Sequence, residues 1–346
     1  MLARDGDPNG NPWHVEFQQG LFNMTSDSHL FRTIEELQSE GATRNGNQWS
    51  RGGQRWLPLY EAKMAHHFNH RFGDYSLKAP DYEGSALPDP PLSSIQDPSY
   101  VVQPRYWVAE DAVQDAMRDP GATWLLGFRD ITNATNERTM IATVLPRCGV
   151  GNNEALLVAT HGPRPALLAA VLSSFAHDFA ARPKVGGTHI NFFIAKQLSV
   201  LSPAELDAPC PWSSGSVACW LRPRVLEMTY TAWDLKGFAA DLEYEGPPFR
   251  WDPSRRDWLR AETDAAFFHL YGIERDDVDY IMDTFPIVRR KDEAAHGEYR
   301  TKRLVLERFD ALAEASANGT EYQTVLDPLP ADPRVAHPES SRPSWA

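Results

Sequence analysis

Residues 129–139, Arg-Asp-Ile-Thr-Asn-Ala-Thr-Asn-Glu-Arg-Thr, place forked and hydrogen-bonding side chains side by side with almost no apolar interruption. That is the chemistry needed to read nucleic acid: a guanidinium matches the two acceptors on the guanine edge, and a carboxamide matches adenine. Arg129, Asn133, Asn136 and Arg138 are therefore candidate DNA contacts. The competing reading is that Asn133, Thr135 and Asn136 cap turns, which these residue types do routinely. A structural or phosphate-facing role for the block is favoured. Lys184 and Thr188 flank Gly186-Gly187, where exposed backbone amides and an ammonium suit a phosphate, or where a tight turn simply carries a surface lysine. Lys196 and Gln197, on a stretch leading out to Pro203, complete the candidate set as a groove contact.

Two other patterns could carry chemistry of a different kind. Glu61-Ala62-Lys63 has the spacing of the Glu-x-Lys half of a metal-dependent nuclease, in which carboxylates hold Mg²⁺ and a lysine steadies the attacking water. That motif also needs an aspartate at a neighbouring strand end, and here the pair falls on a helix-like segment. His66, His70 and Asp74, four residues apart, could line one helix face toward a metal. The stripe Tyr60, Met64, Phe68 and Phe72 reads as a core face, so polar residues opposite it are the ordinary outcome.

The elements that would position these groups follow from periodicity. Leu168, Val171, Leu172, Phe175 and Phe179 fall on one helical stripe, and Tyr60–Tyr75 predicts a second helix. Short apolar runs at 106–108, 123–129 and 140–145 predict strands, Glu110–Met117 a short helix, and Lys196–Pro203 an exit strand. From Trp212 onward the pattern is mostly helical, over 222–238, 254–271, 276–284 and 299–315. The expected class is α+β. The expected organisation is a connector at 1–78, a proline-rich linker at 79–98, a sheet-and-helix recognition domain at 99–205, a helical region at 206–326 and a disordered tail at 327–346. No internal repeat is visible, which predicts a single recognition unit.

Composition narrows the classes. The net charge is −13, which opposes tight binding to a polyanion, because neutralised phosphates dominate such affinity. The deficit is uneven: residues 1–97 carry −5, residues 98–200 carry +1 and residues 201–346 carry −9. A basic run, Arg289-Arg290-Lys291, interrupts the acidic part. Cys148, Cys210 and Cys219 have no paired spacing, and the start of the chain has no charged and apolar leader; both predict a cytoplasmic protein. No apolar run approaches the roughly 20 residues needed to span a membrane.

Several segments together resemble the target-recognition part of TaqI-like adenine-specific DNA methyltransferases and of fused type IIG restriction-modification enzymes. They are Asn11-Pro12-Trp13 with Phe22–Ser28; Leu57–Met64 continuing through His70-Arg71-Phe72; Arg129–Thr139; the helix, Gly186-Gly187-Thr188 turn and exit of 167–203; and Asp279–Pro286 with Tyr299–Arg303. The chain departs from that pattern at Ala62, where the family usually has Gly, and at Ser173-Ser174, where it usually has Asn-Ser. The resemblance implies duplex DNA as partner, a methyltransferase catalytic domain or subunit as the second partner, and N6 methylation of adenine with S-adenosylmethionine by the complete enzyme.

A catalytic half would need a glycine-rich cofactor turn and an Asp/Asn-Pro-Pro-aromatic loop beside the flipped base. Asn11-Pro12-Trp13-His14 lacks the second proline, and Asp89-Pro90-Pro91-Leu92 lacks the aromatic. The expectation is thus a recognition portion that binds duplex DNA, with neither cofactor nor catalytic residues of its own. The alternative is a module that docks on a separate methyltransferase or restriction subunit and has little DNA affinity alone.

Overall fold

The computed structural model describes every residue except 80–83, 85, 160 and 161, and the fold is α+β. One antiparallel sheet runs in the order β1 (Glu16–Gln18), β10 (Glu154–Val158), β7 (Trp124–Arg129), β8 (Ala142–Pro146). The other orders β2 (Phe31–Arg32), β6 (Trp107–Ala109), β5 (Gln54–Tyr60), β4 (Gln48–Arg51) and β3 (Thr43–Asn45), with β9 (Gly149–Val150) pairing parallel to the end of β5.

β7 reads as a continuous apolar run because both its faces are covered. Trp124, Leu126 and Phe128 enter the largest core, whereas Leu125 enters a second one. Its neighbours alternate in phase: Ala155 and Leu157 of β10 face the first core and Leu156 the second, and Ala142 and Val144 of β8 face the first and Leu145 the second. A third cluster gathers Trp49, Trp56 and Trp107 on the other sheet.

Helices cover the first sheet. α4 (Pro163–Ser173) is buried at every residue from Pro165 to Ser173, as befits a helix apolar all round. The single helix expected along the Leu168–Phe179 stripe is two: Ser174 adopts an extended backbone and caps α5 (Phe175–Ala181) by accepting from the His177 amide at 3.2 Å. Beyond lie α8 (Val217–Thr229), α10 (Pro253–Leu270), α11 (Arg275–Asp283), α12 (Pro286–His296) and α13 (Arg300–Asn318). α10 packs along α13, and Gly319 ends α13 in the left-handed conformation that favours glycine.

Three sequence expectations are corrected. Tyr60–Tyr75 is not a helix. Past β5 the chain makes one 3-10 turn at Ala62–Met64, then a tight turn in which His66 and Asn69 exchange backbone hydrogen bonds, with Phe68 at φ 53°. Arg71 anchors the segment that follows: its buried guanidinium donates to the carbonyls of Ile95, Asp97, Tyr100 and Thr231. The exit strand at 196–203 is also absent; Phe192–Lys196 forms a short helix, and Ser202 makes a capping box with Glu205. The expected disordered tail returns across the molecule, where Arg250 donates to Val335, His337 donates to Pro248, and Ala336 is buried.

Packing also ignores the segment boundaries expected from composition. One core joins Leu2 and Trp13, Leu168, Phe267 and Ala336, so connector, recognition segment, helical region and tail share an interior. Of the expected linker, residues 80–83 and 85 lie outside the described residues, and Leu92–Ile95 forms a helical turn whose Ile95 is buried.

Candidate nucleic-acid interface

The polar block opens where β7 ends. Its first residues pair with a distant segment: Ile190 donates to Asp130 at 2.8 Å, Thr132 donates to Thr188 at 2.9 Å, and Ile131 bridges to His189. This short ribbon unites the Arg129–Thr139 block with the Gly186-Gly187-Thr188 loop. Thr132 Oγ1 donates to the Thr139 carbonyl at 2.6 Å and closes the neck of the block. Asn133 Oδ1 accepts from both the amide and the hydroxyl of Thr135 at 2.9 Å, so its side chain builds the turn.

The ribbon is held from beneath by an ionic cluster. Asp178, fully buried on α5, accepts from the amides of Thr139 at 2.9 Å and Met140 at 2.6 Å, and lies 3.2 Å from Arg182 Nε and 3.5 Å from Arg138 Nε. Arg138 donates to the Ser173 carbonyl and stacks on Phe175. Arg182 donates to the carbonyls of Asn136, Glu137 and Thr284 and lies over Phe285. Burial lowers the Arg182 pKa, and Asp178 opposes that effect.

Rigid support below leaves a free tip above. Ile131 and Phe193 are 49% and 73% exposed. Thr135, Asn136, Gly186, Gly187, Thr188 and His189 are exposed with them, and neither glycine has a neighbour near a would-be Cβ. The Asn136 side chain makes no hydrogen bond among the described residues, so its carboxamide keeps both donor and acceptor.

The eight sequence candidates thus divide. Asn133, Asn136 and Thr188 come together at the ribbon, where the Thr188 hydroxyl is 3.0 Å from His189 Nδ1. Lys184 shares their loop but donates to the Gln197 carbonyl at 2.7 Å, while Gln197 is itself exposed. Lys196 pairs with Asp5 at 2.8 Å, away from the block. Arg138 is interior and cannot reach a groove. Arg129 is partly covered: it donates to the Ala65 carbonyl at 2.5 Å, stacks on Phe72, and lines a cavity of about 440 Å³ with Lys63, Met24 and Asn153. Burial lowers its pKa, against the opposing pull of Glu154.

The other two patterns also resolve. Glu61 accepts from Tyr75 and lies 3.3 Å from Lys63, so that pair is internally satisfied. His70 bonds to Asp234 at 2.8 Å, Asp74 accepts from Ser76 and Tyr100, and His66 stacks between His67 and Phe72. Among the described residues, no three His, Cys, Asp or Glu side chains cluster with metal-binding geometry.

Sequence reasoning missed Asp178, Arg182, His189, Ile131 and Phe193. Only the i, i+4 spacing of Asp178 and Arg182 could have hinted at the cluster. No protein-family model matches the chain, and neither a curated protein nor a solved structure shows significant similarity to it.

Proposed function

We propose that this chain is the DNA sequence-recognition portion of a restriction-modification adenine-specific (N6) DNA methyltransferase. It binds duplex DNA and positions it for a catalytic part that supplies S-adenosylmethionine and the reaction centre. The observation that carries the reading is the ribbon. Two of the segments that carry the resemblance, 129–139 and 167–203, are joined by backbone pairing, buttressed by Asp178 and Arg182, and tipped by a free carboxamide on Asn136. Preorganised polar groups on a rigid support are what base readout requires. Lys184 beside the open Gly186-Gly187 backbone supplies a phosphate contact.

A second reading, a module docking on a separate methyltransferase or restriction subunit, is favoured by one observation: the exposed apolar side chains of Ile131, on the ribbon, and of Phe193, just beyond it in the chain. Fluorescence anisotropy with a random-sequence duplex, titrated at 50 and at 200 mM salt, separates the two. Neutralising even two phosphates would weaken binding about tenfold over that range. Absence of salt-sensitive binding at 50 mM refutes the DNA reading and leaves docking. Selection from a random duplex pool tests readout directly: Asn136→Ala should relax preference at one base position by about 1–3 kcal/mol.

A further inference from the structure

Under the polar block lies a cavity of about 220 Å³, enclosed by α10, α12, α13, the 66–68 turn and Glu137-Arg138. Four cations line it, Arg138, Arg260, Lys291 and Arg300, together with four carboxylates, Glu137, Asp257, Asp264 and Asp292. The formal charges cancel, but the partnerships do not. Glu137 pairs with Lys291 and Asp257 with Arg300. Asp264 accepts from the Phe175 amide at 2.8 Å, and Asp292 accepts from the Thr301 amide at 2.5 Å. Arg138 is committed to Ser173 and Asp178. Only Arg260, among the cations of this cavity, has neither a hydrogen bond nor an ion pair among the described residues.

Protein crowds the Arg260 guanidinium enough for burial to lower its pKa, yet the residue stays exposed through the cavity. Asp257 and Asp264 act on it through space, but no acceptor among the described residues sits within hydrogen-bond reach, so its donors face the enclosed volume unfilled. His66 senses the guanidinium: burial first, then Arg129, Arg260, Arg138 and Lys291, hold its imidazole neutral, and the charged groups acting on it most are all cations. Asp264 shows the complement. Burial lifts its pKa to about 6, while Arg138, the Phe175 amide and Arg260 pull the other way.

We propose that this cavity is a phosphate-binding site in which Arg260 takes two phosphate oxygens, flanked by the exposed Lys291 and His296. A planar guanidinium matches phosphate bidentately, as a lone ammonium cannot. The cavity admits a phosphate group with room to spare, and its histidines and half-free lysine offer further donors. The same chemistry is presented by a backbone diester of nucleic acid and by a free phosphate monoester. The site rests on the cavity alone and stands whether or not the ribbon reads DNA.

The test uses the full chain and inorganic phosphate, followed by ³¹P line broadening and thermal melting, with chloride at matched ionic strength as control. Saturable broadening and a rise in melting temperature with phosphate, absent with chloride, are expected. Arg260→Gln should weaken phosphate binding at least about tenfold while leaving the ligand-free melting temperature near that of the parent, because Arg260 holds no partner to lose. Arg289→Gln, whose arginine pairs with Glu293 rather than lining the cavity, should bind phosphate unchanged. Phosphate that competes with a bound duplex, with duplex affinity falling in Arg260→Gln, identifies a backbone phosphate as the source. Duplex binding indifferent to both identifies a free ester. No saturable phosphate effect on the parent chain, or an equal effect on Arg260→Gln, overturns the proposal; line broadening by the parent decides even where the variant folds poorly.

Discussion

Glu154→Gln should reverse part of the protein's response to alkali. Glu154 lies on β10 in register with Arg129 of β7, is 1% exposed, and has no hydrogen-bond partner for either carboxylate oxygen. The space beneath it exists because residue 127 is glycine: a Cβ there would fall 2.7 Å from Glu154 Oε1. Burial raises its pKa from 4.5 to about 8; Arg129 opposes the rise and Asp130 adds to it. The folded state therefore keeps a proton that the unfolded chain releases. Stability associated with this group is whole below pH 4.5 and is lost as the pH rises through 8. At about 1.36 kcal/mol per pH unit, the loss between pH 5 and pH 8 comes to roughly 3–4 kcal/mol. The glutamine variant has no such proton to lose. Urea unfolding at pH 5 and pH 8, at one ionic strength, should show the variant gaining about 3 kcal/mol on the parent between the two, since all other titrations are common to both. Parallel pH profiles for the two proteins would refute the reasoning, because they would mean that Glu154 titrates alike folded and unfolded.

Three further outcomes follow from named contacts. Asp178→Asn removes the charge that two guanidiniums and two amides share, and should cost about 3–5 kcal/mol in urea unfolding, while loosening exchange protection of the Thr139 and Met140 amides. Arg71→Met leaves four carbonyls without their donor, those of Ile95 and Thr231 buried, so the midpoint of unfolding should fall by an amount equivalent to at least about 3 kcal/mol; a loss under 1 kcal/mol would show that water replaces the guanidinium. Asn133→Ala and Asn136→Ala should separate cleanly: the first costs about 1 kcal/mol of stability through the lost turn, and the second leaves the melting temperature unchanged and alters duplex selectivity.

What the sequence disclosed depended on whether the information was local. The strands at 124–129 and 142–146 and the helices at 110–116, 253–270, 275–283 and 300–318 were legible from short-range pattern, because their apolar residues fill cores on one or both sides. The stripe Tyr60, Met64, Phe68, Phe72 has helical spacing and misled, because Phe68 takes a positive φ inside the His66–Asn69 turn and Arg71 is held by partners 24 to 160 positions away, which spacing does not report. Helix α12 escaped notice for the opposite reason: it is charged along most of its length and buries only Val288, so it offers no stripe to read. At the candidate interface, residue type identified Asn133 and Asn136 but could not say which one serves the turn. It also could not separate Arg129 beside a cavity from Arg138 inside the protein. Those assignments rest on pairing between residues 130–132 and 188–190, which no local pattern encodes.

The acidity of the chain sets the manner in which it could hold a duplex. Its basic run is largely spoken for: Arg289 pairs with Glu293 and Lys291 with Glu137, while Arg290 is exposed without an ion pair among the described residues. Exposed pairs of this kind are worth well under 1 kcal/mol each, so a phosphate can displace the carboxylate at little cost. Displacement nevertheless releases a carboxylate beside the duplex, and with −9 on residues 201–346 the repulsion accumulates. Grip and selectivity are thereby divided. On the proposed reading, Asn136 and the ribbon would discriminate between sequences by hydrogen bonding, which is short-ranged and indifferent to net charge. On the same reading, the bulk of the phosphate neutralisation would have to come from a more basic surface elsewhere, so the salt dependence of duplex binding by this chain alone should be shallow.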